Sequence, residues 1–165
     1  MARERKIRMD GKLYVAYGSN LNLPQMANRC PTARVIGASE LKDYKLIFRG
    51  GYGGAVATVE PSKGNTVPIL IWEITKDDEK ALDRYEGFPF LYRKENVKVK
   101  LKGKNVKAMA YIMNEGRPLG QPSMYYYSVI YDAYKAEDFD IAILKTALEN
   151  SVERPREEVN NEGEN

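Results

Sequence analysis

Tyr17-Gly18-Ser19-Asn20-Leu21 follows a short apolar run, Leu13 to Ala16, and about 65 residues later the chain reads Tyr85-Glu86-Gly87-Phe88-Pro89. The first segment reads as a strand that ends in a small-residue turn. Gly18 lacks a Cβ, and Ser19 and Asn20 tolerate tight backbone angles, so several backbone N–H groups can converge on one anion. The second segment sets a lone carboxyl group among Tyr85, Phe88 and Phe90. Apolar neighbours disfavour the charged form, so Glu86 is a candidate acid/base group poised between its two states. An anion-binding turn beside a tuned carboxylate makes a small active site.

The composition removes most competing chemistries. The chain has 165 residues and no histidine, which excludes Ser-His-Asp and Cys-His nucleophile systems and the histidine-dependent zinc sites. Its single cysteine, Cys30, excludes an internal disulfide and suggests a reducing compartment; followed by Pro31, it reads as a packing residue. A hydrophobic content of 43% with 30% charged residues fits one globular domain with a single core. A formal net charge of +3 is too small to argue for nucleic acid. No apolar h-region follows the basic N-terminus, and the longest apolar run, Val67 to Trp72, is too short to span a bilayer. A cytoplasmic location is expected, with no membrane or nucleic-acid partner. Arg3, Arg5, Lys6, Arg8 and Lys12 make the start basic, and five glutamates from Glu153 to Glu164 make the end acidic. The expected organisation is a basic extension over 1–11, one catalytic domain over 12–150, and an acidic, disordered tail over 151–165. Met9 is an alternative edge of the fold.

The elements that must position these groups follow from pattern. Leu13 to Ala16 reads as a buried strand, and Leu23 to Arg29 as a short helix with Asn22 near its cap and Pro24 in its first turn. Ala33 to Leu41, Tyr44 to Phe48, Ala55 to Val59 and Val67 to Ile74 read as strands, the last buried on both faces. Pro61 to Asn65 reads as a turn. Arg49 to Gly54 has the look of an RNA-binding glycine-rich segment, but one copy followed by a strand reads better as a mobile loop at the edge of the site. Thr75 with Asp78 begins a helix that stops at Gly87 and Pro89, placing Glu86 at its end. Tyr92 to Leu101 alternates as a half-exposed strand, turned back at Gly103-Lys104-Asn105 into Val106 to Met113. Ser123 caps a helix to about Tyr134, and Ala136 to Asn150 reads as a final amphipathic helix with Phe139, Ile143 and Leu144 inward. Strands first and helices last give an α+β class with a mostly antiparallel sheet.

YGSNL early in the chain, LDRYEGFP at Leu82 to Pro89, and Pro122-Ser123-Met124-Tyr125-Tyr126 ahead of a helix together resemble the gamma-glutamyl cyclotransferase-like family, from about Leu13 to about Tyr134. The resemblance implies a small closed β-barrel with flanking helices. It implies cyclisation of a γ-glutamyl amide to 5-oxoproline with release of an amine or amino acid. Glu86 is implied as the catalytic group, with Tyr17, Gly18, Ser19, Asn20, Leu21 and Tyr126 binding a small γ-glutamyl substrate. Three consecutive tyrosines leave the Tyr126 register open by one. Because the substrate's own amine is the nucleophile, no cofactor or metal is implied. Divergent transferases on a γ-glutamylamine or a protected biosynthetic intermediate, and a non-catalytic module for an acidic metabolite, are the alternatives. The assembly is open, a homodimer among the possibilities.

Overall fold

The computed structural model describes residues 8, 11–51 and 54–152. The predicted basic extension and acidic tail therefore fall almost entirely outside the described residues, as do Tyr52 and Gly53 of the glycine-rich loop. The elements are β1 (Lys12–Ala16), a 3-10 turn (Ser19–Leu21), α1 (Leu23–Arg29), β2 (Arg34–Arg49), β3 (Val56–Ile74), α2 (Lys76–Glu86), β4 (Tyr92–Leu101), β5 (Lys104–Met113), α3 (Met124–Ala136) and α4 (Ile141–Asn150). The class is α+β, with one mixed sheet in the order β2-β3-β1-β5-β4. Only the β1–β5 pair is parallel.

The expected closed barrel is corrected: among the described residues the sheet has two edges, β2 and β4, with no ladder between them. The two edges nonetheless come close at Gly37. A Cβ on Gly37 of β2 would lie 3.2 Å from Leu101 Cδ1 of β4. Two register irregularities, Val35/Gly37 and Lys42/Tyr44, bend β2 further.

The four short strands expected between Ala33 and Ile74 are two long ones. Lys42 pairs with Thr66 and Tyr44 with Pro61, so the residues between Pro61 and Thr66 bulge opposite Asp43 instead of ending the strand. Gly64, at φ 89, and Asp43, at φ 62, absorb the distortion, and Gly64 N–H donates to Asp43 Oδ1 at 2.9 Å. Pro and Gly punctuate a large bulge with the same residues that punctuate a turn. The second departure is the final helix. α3 runs on to Ala136, Asp138 takes φ 57, and Asp140 caps a separate α4 through Ala142 N–H. Leu144 is buried, while Phe139 lies in the connection and meets the Tyr134 ring edge-on. The β4–β5 turn is Lys102-Gly103, one residue earlier than expected, with positive φ at both, as a two-residue hairpin requires.

Other expectations hold. Ile69, Ile71 and Ile74 are fully buried, as a strand covered on both faces should be. Asn22 caps α1 by accepting from Gln25 N–H. α2 opens with a capping box between Thr75 and Asp78 and closes on Gly87 at φ 64. Lys94 of β4 then ties that helix to the sheet, at 2.9 Å from both Glu79 and Asp83. These restraints fix the end of α2 over the C-terminal end of β1.

Candidate functional site

Beyond β1 the chain passes Tyr17 and Gly18 and makes one 3-10 turn. Gly18 is needed for close approach: a Cβ there would sit 3.3 Å from Ala57 Cβ and 3.6 Å from the Tyr126 hydroxyl. Leu21 N–H donates to Gly18 O at 3.0 Å and Asn22 N–H to Ser19 O at 3.1 Å. The amides of Ser19 and Asn20 lead the turn, where a helix leaves its first donors unused, and no side chain caps it.

These residues border a cavity of about 220 Å³. Tyr17, Gly18, Ser19 and Asn20 line it, with Glu86 from the last turn of α2 and Tyr126 from α3. Leu21 does not: its side chain is fully buried and its amide is spent within the turn. Of the three consecutive tyrosines, Tyr126 is the one that lines the cavity. Its hydroxyl accepts from Ala57 N–H at 3.0 Å, whereas Tyr125 is 72% exposed and Tyr127 packs on Phe48 and Tyr131. Cys30 is buried, with its thiol directed at Asp78 O and pushed up to about 11 by burial.

Glu86 is half-buried at the C-terminus of α2, where the helix dipole opposes a negative charge. Burial raises its carboxyl to about 7, opposed by the Arg29 guanidinium. Its surroundings differ from those expected. Phe90 is 87% exposed, and Phe88 packs against the core beneath the Lys94 ammonium. The aromatic wall is made of tyrosines instead: Tyr14 from β1, Tyr92 from β4 and Tyr111 from β5 join Tyr17 and Tyr126. Most of their hydroxyls are committed outward. Tyr17 donates to Tyr111 O and Tyr92 to Ala57 O at 2.6 Å, and Tyr111 donates to Asp83 Oδ1 at 2.6 Å. These bonds tie the wall to the main chain at Tyr111 and Ala57 and to Asp83. Ser19 Oγ lies 3.0 Å from the Tyr85 hydroxyl, and Asn20 Nδ2 donates to Tyr14 OH at 2.8 Å and to Glu86 Oε1 at 3.4 Å.

Sequence reasoning missed Tyr14, Tyr92 and Tyr111. The only local signal was alternation: Tyr111 shares a strand face with Met109, whose pairing with Tyr14 brings the two rings to 5.9 Å. Arg49 of the glycine-rich segment is held by Glu60 and by Arg117 O, which leaves its guanidinium engaged within the protein. Gly50 N–H donates to Pro118 O, and Val56 and Ala57, just beyond the loop, line the cavity. Among the described residues no cluster of three Cys, Asp or Glu side chains is arranged to hold a metal ion.

The arrangement can hold an anion on main-chain donors and move a proton at one carboxyl oxygen. Residues 14–131 match the family model described as gamma-glutamyl cyclotransferase, AIG2-like. The chain is 33% identical over 129 residues to the gamma-glutamylcyclotransferase of Homo sapiens, covering 72% of this chain and 67% of that protein, and the Mus musculus protein matches over the same shares. A solved gamma-glutamyl cyclotransferase superposes with a TM-score of 0.72 at 27% identity, over 88% of this chain and 90% of that one.

Proposed function

This chain belongs to the gamma-glutamyl cyclotransferase, AIG2-like family, and on that premise we propose that it cyclises a γ-glutamyl amide to 5-oxoproline, releasing the amine or amino acid. Glu86 takes a proton from the substrate's α-ammonium, and the freed amine attacks the γ-carbonyl carbon. A new C–N bond closes the ring as the old amide C–N bond breaks, and Glu86 returns its proton to the departing nitrogen. In all, the attacking nitrogen gives up two protons and the leaving amine gains two. Glu86 carries each in turn, taking it from the attacking nitrogen and passing it to the departing one, so the carboxyl ends each cycle as it began.

Main-chain N–H groups of the Gly18–Asn20 turn hold the substrate's anionic end, and Tyr126, whose hydroxyl sits beside Gly18, completes the wall there. Holding the γ-glutamyl chain folded makes the attack intramolecular, which supplies much of the acceleration. One observation carries this reading. A carboxyl group displaced to about 7 shares a small cavity with the leading amides of the turn. A group near neutrality both accepts and returns a proton at the working pH.

A second reading of the amine half rests on the lining itself, which among the described residues contains no Lys or Arg. A leaving group with its own carboxylate finds no cation inside, so a γ-glutamylamine fits the cavity better than a γ-glutamyl dipeptide whose carboxylate enters it. The test is 5-oxoproline release across a panel of γ-glutamyl dipeptides and γ-glutamylamines. Turnover of the amines alone favours the second reading, and release from none of them removes the cyclotransferase proposal.

A further inference from the structure

Asn20 is 3% exposed, and its amide is fully used. Arg29 Nη1 donates to Oδ1, and Nδ2 donates to Tyr14 OH at 2.8 Å and to Glu86 Oε1 at 3.4 Å. A guanidinium has donors only. With Arg29 in place, Asn20 must therefore turn its oxygen toward α1 and its NH₂ toward the cavity. Rotated the other way, the amide would set two donors against Arg29 and its oxygen against the carboxylate. Arg29 itself is held from two sides. Its guanidinium carbon lies 3.3 Å from the centroid of the Tyr85 ring, and Nη2 donates to Gln25 Oε1 at 3.3 Å, one turn back on α1. It does not line the cavity.

We infer that Arg29 is a positioning residue, which by donating to Asn20 fixes the end of that amide presented to Glu86 and Tyr14 and so keeps the carboxyl oxygen hydrogen-bonded and ready to take a proton. Its role in turnover rests on the cyclotransferase reading, but its effect on Glu86 does not. Tyr14 and Tyr17 from the β1 end, Tyr92 from β4, Tyr111 from β5 and Tyr126 from α3 face the same cavity as Glu86, as does Tyr85 on its own helix. All are phenols, and burial pushes those of Tyr14, Tyr17, Tyr92, Tyr111 and Tyr126 upward, so they stay neutral. Arg29, from α1, supplies the cationic influence on the carboxyl, and it lowers it. The amide also fixes Tyr14: its oxygen is taken as an acceptor, leaving its proton to point elsewhere.

The experiment follows the Glu86 titration in the substrate-free full chain by carbon-13 NMR, assigned with Glu86→Gln, alongside the pH profile of kcat/KM. Arg29→Met is expected to move the carboxyl midpoint upward by about one pH unit, and the acid limb of the profile with it. Arg29→Lys, which restores a donor and a charge, should bring the midpoint back toward wild type. Arg29→Gln replaces Arg29→Met should the latter not fold. A wild-type midpoint in whichever of the two folds, even with lowered thermal stability, overturns the inference and makes Arg29 a packing residue. A shifted midpoint in a protein that releases no 5-oxoproline from any γ-glutamyl compound upholds the positioning role and removes the proposed reaction instead.

Discussion

Glu73 and Glu86 are both withdrawn from water, and their surroundings drive them in opposite directions. Glu73, on β3, is fully buried, with Arg8 on one oxygen and Arg34 on the other at 2.7 Å. Burial pushes its carboxyl up, but the two guanidinium groups outweigh that and hold it below the usual range. Glu86, half-buried, accepts from the Asn20 amide at 3.4 Å, and the Arg29 guanidinium offsets its burial only in part, so it stands at about 7. Removal from water is common to both, so it does not mark a working group. What differs is whether a neighbour offsets the cost of the charge. A paired carboxylate is locked in one state, and an unpaired one is left free to change state.

The sharpest way to break this contrast is to neutralise each group in turn. Glu86→Gln is expected to fold and to lose about 10²–10⁴ in turnover, read as 5-oxoproline release with circular dichroism as the folding control. A folded variant at wild-type rate would place Glu86 beside Glu73 as a structural group. Glu73→Gln should do the reverse. It removes the buried carboxylate that Arg8 and Arg34 share, at a cost of about 3–5 kcal/mol in denaturant unfolding, with the turnover of the folded fraction unchanged.

Stability against pH separates the two more finely. Between about 4.5 and 7 folded Glu86 holds its proton more tightly than the unfolded chain does, so its contribution to stability is present at lower pH and is lost as pH rises through about 7. Glu73 has the opposite sign: its contribution is present above the ordinary carboxylate range and is lost as pH falls through its lowered value. Glu86→Gln should therefore be more stable than wild type by roughly 1–3 kcal/mol at pH 8, allowing for solvent screening, and equal to it at pH 4. A constant difference across that range would mean that the Glu86 carboxyl is not displaced. The smallest expected effect concerns the support of the site: Thr75→Ala removes half of the α2 capping box at a cost of about 1 kcal/mol in thermal unfolding, with saturated turnover unchanged.

The parts of this site legible in the sequence were those set by neighbours along the chain. The turn after β1, the helix ended by Gly87 and the Ser123 cap all depend on a few adjacent residues, and each stands where its local chemistry put it. What escaped depends on pairing across long separations. Tyr14, Tyr92 and Tyr111 meet only because three strands lie side by side in one register, and Phe90 looked like a wall residue because nothing local tells a buried aromatic from an exposed one. Arg29 gave no signal at all, since its effect passes through Asn20. The barrel failed for a related reason: closure is decided by whether the last two edges pair across a long separation, and among the described residues β2 and β4 do not.

The central place of β1 has a consequence for how the molecule comes to exist. β1 comes first among the described strands yet lies third in the sheet, hydrogen-bonded on one side to residues Leu70 to Ile74 and on the other at Met109. Its partners are far downstream, and contacts of such high sequence separation form slowly because the intervening chain must first be gathered in. On a ribosome, the turn at Gly18 emerges early and waits for β5 before it has a wall to face. A nascent chain stopped short of Met109 carries both Ser19 and Glu86, yet lacks the strand that brings Tyr111 beside Tyr14. The cavity wall in this fold is therefore complete only once β5 has been made.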